Sequence, residues 1–122
     1  MVTNVTSFGR SGLYDWVVQR VSAVVILLYV LCHAGIILTT PDMDYVRWRA
    51  LFADTGMRIF SLVTFAALCA HAWIGIWTIA TDYLTTRMLG PKATFTRFLF
   101  LLICLGIIVV YFIWGIMILW SA

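Results

Sequence analysis

The chain has 122 residues, of which 64% are hydrophobic and only 11% charged, and its mean hydropathy is +1.05. Soluble domains carry about 25% charged residues, so this is the composition of a membrane protein, and at roughly 20 residues per span it has room for three transmembrane helices and short connections. A separate soluble catalytic domain is excluded, and the net charge of +3, from eight Lys and Arg against five Asp and no Glu, bears on membrane orientation and not on nucleic-acid binding.

The opening MVTNVTSFGRSG is polar, and no small-residue cleavage pattern precedes the first apolar run. The first span is therefore expected to stay in the mature chain rather than leave with a signal peptide. Apolar runs lie between Arg20 and Pro41, between Arg58 and Asp82, and from Arg97 to the C-terminus. Backbone groups in hydrocarbon must be satisfied within each segment, so all three runs are expected to be helices. The expected fold is all-α, a single membrane domain over 1–122 with helices at about 15–39, 58–84 and 95–120.

The first connection, TPDMDYVRWRALFADTG, has the aromatic and charged residues of a short interfacial helix. The second, DYLTTRMLGPKATFTR, carries a break at Gly90 and Pro91. Cys32, Cys69 and Cys104 fall one in each apolar run without any clustered ligand spacing. They read as small apolar packing residues.

Orientation follows from the basic residues flanking the spans. Arg10, Arg20, Arg87, Lys92 and Arg97 lie on one side, and Arg47, Arg49 and Arg58, offset by three Asp, on the other. The expectation is an N-terminus inside and a C-terminus outside. Trp16, Trp48, Trp114, Trp120, Tyr14, Tyr45 and Tyr83 sit mostly near span ends, where interfacial aromatics belong.

The second span carries His71 within about one residue of its midpoint, a depth at which an ionisable group is costly and marks a functional candidate. At about 100° per residue, Thr64, Ala67, Gly75, Thr78 and Asp82 fall within about 40° of His71, while Trp73 and Trp77 face away. Such a small, polar stripe serves either close helix packing or a flat cofactor beside a ligand. Neutral imidazole is the usual axial ligand of a b-type haem, and a glycine one turn away leaves room for the porphyrin edge. The competing reading is a packed histidine hydrogen-bonded to a neighbouring helix.

A six-coordinate haem needs a second ligand, and the other histidine is His33 in the first span. Its depth differs from that of His71 by only about 5 Å at 1.5 Å per residue, so a haem held within this chain is geometrically allowed. His33 shares a helix face with Ser22 and Tyr29, which also suits a hydrogen-bonded interhelical histidine.

At the inner end of the second span stand Asp82 and Tyr83, with Arg87 one turn on. Helix termination, an interfacial tyrosine and a topology-setting arginine account for them structurally. Functionally they suit a polar pocket: Tyr83 donates to a quinone carbonyl, Asp82 orients it or relays protons, and Arg87 stabilises a partly reduced quinone or a haem propionate. Arg20 ends the first span on the same side and can reach that pocket or serve as a plain anchor.

Taken together, Gly9-Arg10-x-Gly12 with Asp15 and Arg20, the run His71-Ala72-Trp73-Ile74-Gly75-x-Trp77, and Thr81-Asp82-Tyr83 resemble the small, D-type membrane-anchor subunits of succinate dehydrogenase, respiratory complex II, in their proteobacterial form. The resemblance covers nearly the whole chain, although the first connection and the third span match only in apolar character. It implies pairing with a C-type cytochrome b anchor subunit, with one haem b held between the two chains and one axial histidine from each. His71 matches the D-type ligand, which leaves His33 structural. It also implies a flavoprotein subunit with FAD and an iron–sulfur subunit docked on the cytoplasmic face of a bacterial inner membrane, with ubiquinone reduced near that surface and the whole complex often trimeric. Tyr83 matches the residue that hydrogen-bonds the quinone, Asp82 its support, and Arg20 a basic residue near the haem propionates and quinone pocket.

Two readings compete. A fumarate reductase anchor would run the same site in reverse with a quinol, and a structural or assembly protein would use the small stripe only to pack helices. A small transporter would call for a discontinuous helix or paired half-repeats, and neither is visible.

Overall fold

The computed structural model describes residues 12–121; Gly9, Arg10 and the rest of the N-terminal segment lie outside the described residues. The first helix, α1, runs Gly12–Thr39. It stops where Pro41 withdraws a backbone donor and pushes Thr40 out of the helical region.

A short helix, α2, follows at Tyr45–Ala53, where the sequence leads one to expect an interfacial helix. Asp44 starts it as an N-cap, accepting from the Arg47 N–H at 2.9 Å. Arg47 turns back over the cap to pair with the Asp42 carboxylate and to donate to the Asp42 carbonyl at 3.1 Å. The hydrogen bond from the Arg47 side chain holds the Asp42 carboxyl below its ordinary range.

A single extended residue, Asp54 (φ −66°, ψ 131°), ends α2 and begins α3, Thr55–Tyr83, capping it by accepting from the Met57 N–H at 3.0 Å. Because one residue makes the joint, α2 folds back on the end of α3 instead of extending it.

After Tyr83 come a one-turn helix, α4 (Thr86–Leu89), and a 3₁₀ turn over Gly90–Lys92. Gly90 takes a positive φ of 69°, a conformation that glycine adopts without steric cost. The last helix, α5, is Ala93–Ser121. Among the described residues there is no strand, and three helical stretches are long and apolar enough to cross a membrane.

The three spans form a layer with α3 in the middle, packed against α1 on one side and α5 on the other. The residues most buried between them are small or polar, Ile74 excepted: Ser22, Ser61, Thr64, Ile74, Ala80 and Ala93. Lipid tails are as apolar as leucine, so membrane helices associate through close packing and hydrogen bonds. Tyr29 of α1 bonds Ser61 of α3 at 2.7 Å, and the α5 backbone at Gly115 comes so close to α3 that an added Cβ would stand 2.9 Å from the Phe65 ring. The large apolar side chains of α1 and α5 face outward, as bilayer-facing residues do.

Candidate functional site

The face of α3 that carries His71 meets α1, and the contact there is a hydrogen-bond relay. His71 Nδ1 lies 3.0 Å from Ser22 Oγ, and Ser22 Oγ lies 3.1 Å from the Gln19 carbonyl oxygen one turn back along α1. Ser22 is 4% exposed, so the relay is shielded from competing water. Among the described residues the imidazole makes no other hydrogen bond, and Nε2 keeps its valence for something else.

Gly75, one turn from His71, faces α1, where an added Cβ would find only Gln19 Nε2, at 3.8 Å. Gly75 lines an open, groove-like cavity of about 470 Å³ between the helices, together with Asp15, Trp16, Gln19, Arg20, Ile74 and Thr78. Gln19 Oε1 is buried there without a hydrogen-bond partner, whereas the Thr78 hydroxyl is satisfied by the Ile74 carbonyl at 2.9 Å. The Arg20 guanidinium lies 5.2 Å from the Trp16 ring centre, a cation–π contact that holds the positive charge at the cavity wall.

Asp82 and Tyr83 lie beyond this cavity at the end of α3, both exposed, with Tyr83 63% accessible. Arg87 is exposed on α4. The structure thus places His71 and Arg20 along one α1–α3 seam and Asp82, Tyr83 and Arg87 just past its end. Among the described residues no contact joins Tyr83 or Arg87 to Arg20.

His33 is differently placed. Its Nδ1 donates to the Tyr29 carbonyl at 3.0 Å within α1, and its ring stacks on Phe52 (5.5 Å, 24°) and meets Trp48 edge-on at 6.2 Å, both on α2. The expected interhelical hydrogen bond at His33 is not formed among the described residues. Instead the interhelical partners on that face are Ser22, which takes His71, and Tyr29, which takes Ser61. With Nδ1 protonated, His33 Nε2 carries the lone pair, and it is buried under the α2 aromatics without a partner.

These donors fit a group that takes one imidazole nitrogen from this chain. Among the described residues no three His, Cys, Asp or Glu side chains cluster to hold a bare metal ion. His71 has one ring nitrogen engaged by Ser22, and one turn on Gly75 lines a cavity shared with the Arg20 cation, a donor set compatible with the iron and the propionates of a haem. His33 Nε2 is buried away from this seam, under the aromatics of α2. Sequence reasoning passed over Gln19 and the pairing of Ser22 with His71; the signal was the polar series Asp15, Gln19, Ser22 at spacings of four and three, which marks one face of α1.

Comparison with known proteins adds a second line of evidence. The model of a family described as the succinate dehydrogenase/fumarate reductase transmembrane subunit matches residues 3–114. The chain is also 37% identical over 113 residues to the succinate dehydrogenase hydrophobic membrane anchor subunit of Coxiella burnetii, across 93% of this chain and 92% of that protein.

Proposed function

The chain belongs to the succinate dehydrogenase/fumarate reductase transmembrane-subunit family, and from that premise we propose that it is the D-type anchor of a succinate:ubiquinone oxidoreductase. It contributes one axial ligand to a haem b and one wall of a quinone site, and it docks the flavoprotein and iron–sulfur subunits against the membrane. The observation that carries this reading is His71, tied at Nδ1 to buried Ser22 and one turn from Gly75, which lines a cavity together with Arg20.

His71 Nε2 would hold the iron, and Arg20 would neutralise a propionate. When bound, haem b supplies a one-electron carrier and a cross-link between helices of two chains. The remaining ligand comes from a C-type partner anchor. The Tyr83 hydroxyl donates a hydrogen bond to a quinone carbonyl, Asp82 orients it or receives its proton, and Arg87 offsets negative charge on the reduced ring. Both Asp82 and Tyr83 are exposed in the single chain, which suits a pocket completed by partner subunits. The redox chemistry of succinate belongs to FAD and iron–sulfur clusters in those subunits, so the isolated chain has no turnover of its own.

The positive-inside balance puts the Tyr83 end of the chain on the cytoplasmic face of a bacterial inner membrane, with the N-terminus inside and the C-terminus outside. A cysteine introduced at Thr86 should resist a membrane-impermeant thiol reagent in intact cells, and one at Asp44 should react. The reverse pattern would invert the topology and remove Tyr83 from the proposed docking face.

The functional test is to purify the tagged chain in mild detergent and assay it with succinate and a soluble quinone. Co-purifying flavoprotein and iron–sulfur subunits with quinone-reductase activity support the proposal. A chain that purifies alone, from cells expressing those subunits, contradicts it.

A further inference from the structure

Resting on the reading of His71 as a haem ligand, a second inference concerns the residue behind it. Ser22 Oγ stands between two atoms, His71 Nδ1 at 3.0 Å and the Gln19 carbonyl oxygen at 3.1 Å. A hydroxyl has one proton to give, and a carbonyl can only accept. If that proton pointed at His71, the hydroxyl and carbonyl oxygens would face each other with lone pairs at 3.1 Å in a buried setting. The favourable polarity runs one way: His71 Nδ1–H donates to Ser22 Oγ, and Ser22 O–H donates to Gln19 C=O. Bonds aligned head to tail strengthen each other where water is excluded.

The consequence falls on the other nitrogen. A proton fixed on Nδ1 leaves Nε2 as the lone-pair nitrogen, and donation from Nδ1–H raises the electron density there. The hydrogen bond also ties the ring to α1, so the plane of the imidazole is set from outside its own helix. A more basic ligand favours the ferric over the ferrous ion.

We propose that Ser22 is a positioning residue for His71: its hydroxyl fixes the tautomer that presents Nε2 to the iron, holds the ring orientation across the α1–α3 seam, and keeps the haem potential lower than it would otherwise be. It touches neither haem nor quinone and acts only through His71.

The test uses the intact complex and follows two properties of the haem, its midpoint potential in a redox titration and its rate of transfer to an excess of apomyoglobin. Ser22→Ala is expected to retain a b-type band, with a raised potential and a haem affinity lowered about 10- to 100-fold, the usual effect of removing a hydrogen-bond partner from a ligating histidine. Ser22→Thr should restore both properties. Since Thr and Val have the same shape, Ser22→Val against Ser22→Thr isolates the hydroxyl even if the alanine variant assembles poorly.

Equal potentials and equal release rates in the Thr and Val variants overturn the inference. A wild-type low-spin spectrum in His71→Ala overturns instead the ligand reading on which it rests. The two failures are therefore told apart in one set of samples.

Discussion

Arg97, in the first turns of α5, donates two hydrogen bonds to the carbonyl of Leu84, from Nε at 3.2 Å and from Nη2 at 3.0 Å. Leu84 caps α3, its own N–H bonded to the Ala80 carbonyl at 3.2 Å. The guanidinium therefore sits where the α3 dipole is negative and where carbonyls lack helical partners. A residue read from sequence as a charge that sets orientation also pins the segment that carries Tyr83.

Arg97→Ala should lower the thermal stability of the detergent-solubilised complex by roughly 1–3 kcal/mol, the worth of hydrogen bonds from a charged donor. It should also raise the apparent KM for quinone, because the end of α3 loses its tether. Arg97→Lys keeps the charge but replaces the two-nitrogen fork with one ammonium nitrogen and should fall between. Wild-type stability and KM in the alanine variant would show that the contact does not hold the α3 end.

Tyr83→Phe keeps the ring and loses only the hydroxyl. Quinone reduction should fall about tenfold, the equivalent of one hydrogen bond of about 1.4 kcal/mol. Electron delivery from succinate to a soluble artificial acceptor should stay near the wild-type rate. Equal loss of both activities would mean failed assembly and remove Tyr83 from the quinone site.

Gly115 and Phe65 should be energetically coupled. Alanine in a helix is favoured over glycine by about 1 kcal/mol, but at position 115 its Cβ would stand 2.9 Å from Phe65 Cζ. The ring would have to shift, disturbing its stack on Phe112, now at a centroid distance of 5.8 Å and an angle of 25°. Gly115→Ala should thus be neutral or destabilising alone and stabilising in a Phe65→Leu background, with a coupling of about 1 kcal/mol in thermal unfolding. Strict additivity would contradict the close approach of α3 and α5.

The Asp42–Arg47 pair predicts a pH effect in the first connection. Arg47 lowers the Asp42 pKa in the folded chain. The pair's stabilisation is therefore present above the ordinary carboxylate pKa and is lost as pH falls through the lowered one. Both side chains are exposed, so salt should weaken the effect. In a titration followed by NMR of the labelled Asp42 carboxyl, Arg47→Gln should move the midpoint up toward the ordinary range. An unmoved midpoint would sever the link.

Much of the architecture was legible because hydrocarbon allows few solutions. Three charge-free runs had to be helices, and a histidine in the middle of one had to be interesting. The short helix α2 was announced by its aromatics, though its limits depend on Asp44 and Asp54, whose capping role shows only once the chain direction at each joint is known. The partner of His71 was missed for a different reason. Ser22, Tyr29 and His33 share a face of α1, but which of them meets His71 depends on how far α1 slides along α3. Neither helix's own periodicity carries that offset. Likewise Asp82, Tyr83 and Arg87 were readable as chemistry, yet the chain alone leaves them exposed, and under the proposed function the remaining walls of their pocket lie in other sequences.

The central claim is that His71 carries haem in an assembled succinate dehydrogenase. Its most direct test is the reduced-minus-oxidised spectrum of the affinity-purified complex, wild type beside His71→Ala. A b-type band in the wild type that is lost or altered in the variant, with flavoprotein and iron–sulfur subunits present in the preparation, is the predicted result. A colourless wild-type complex, or a band unchanged by the substitution, would contradict it.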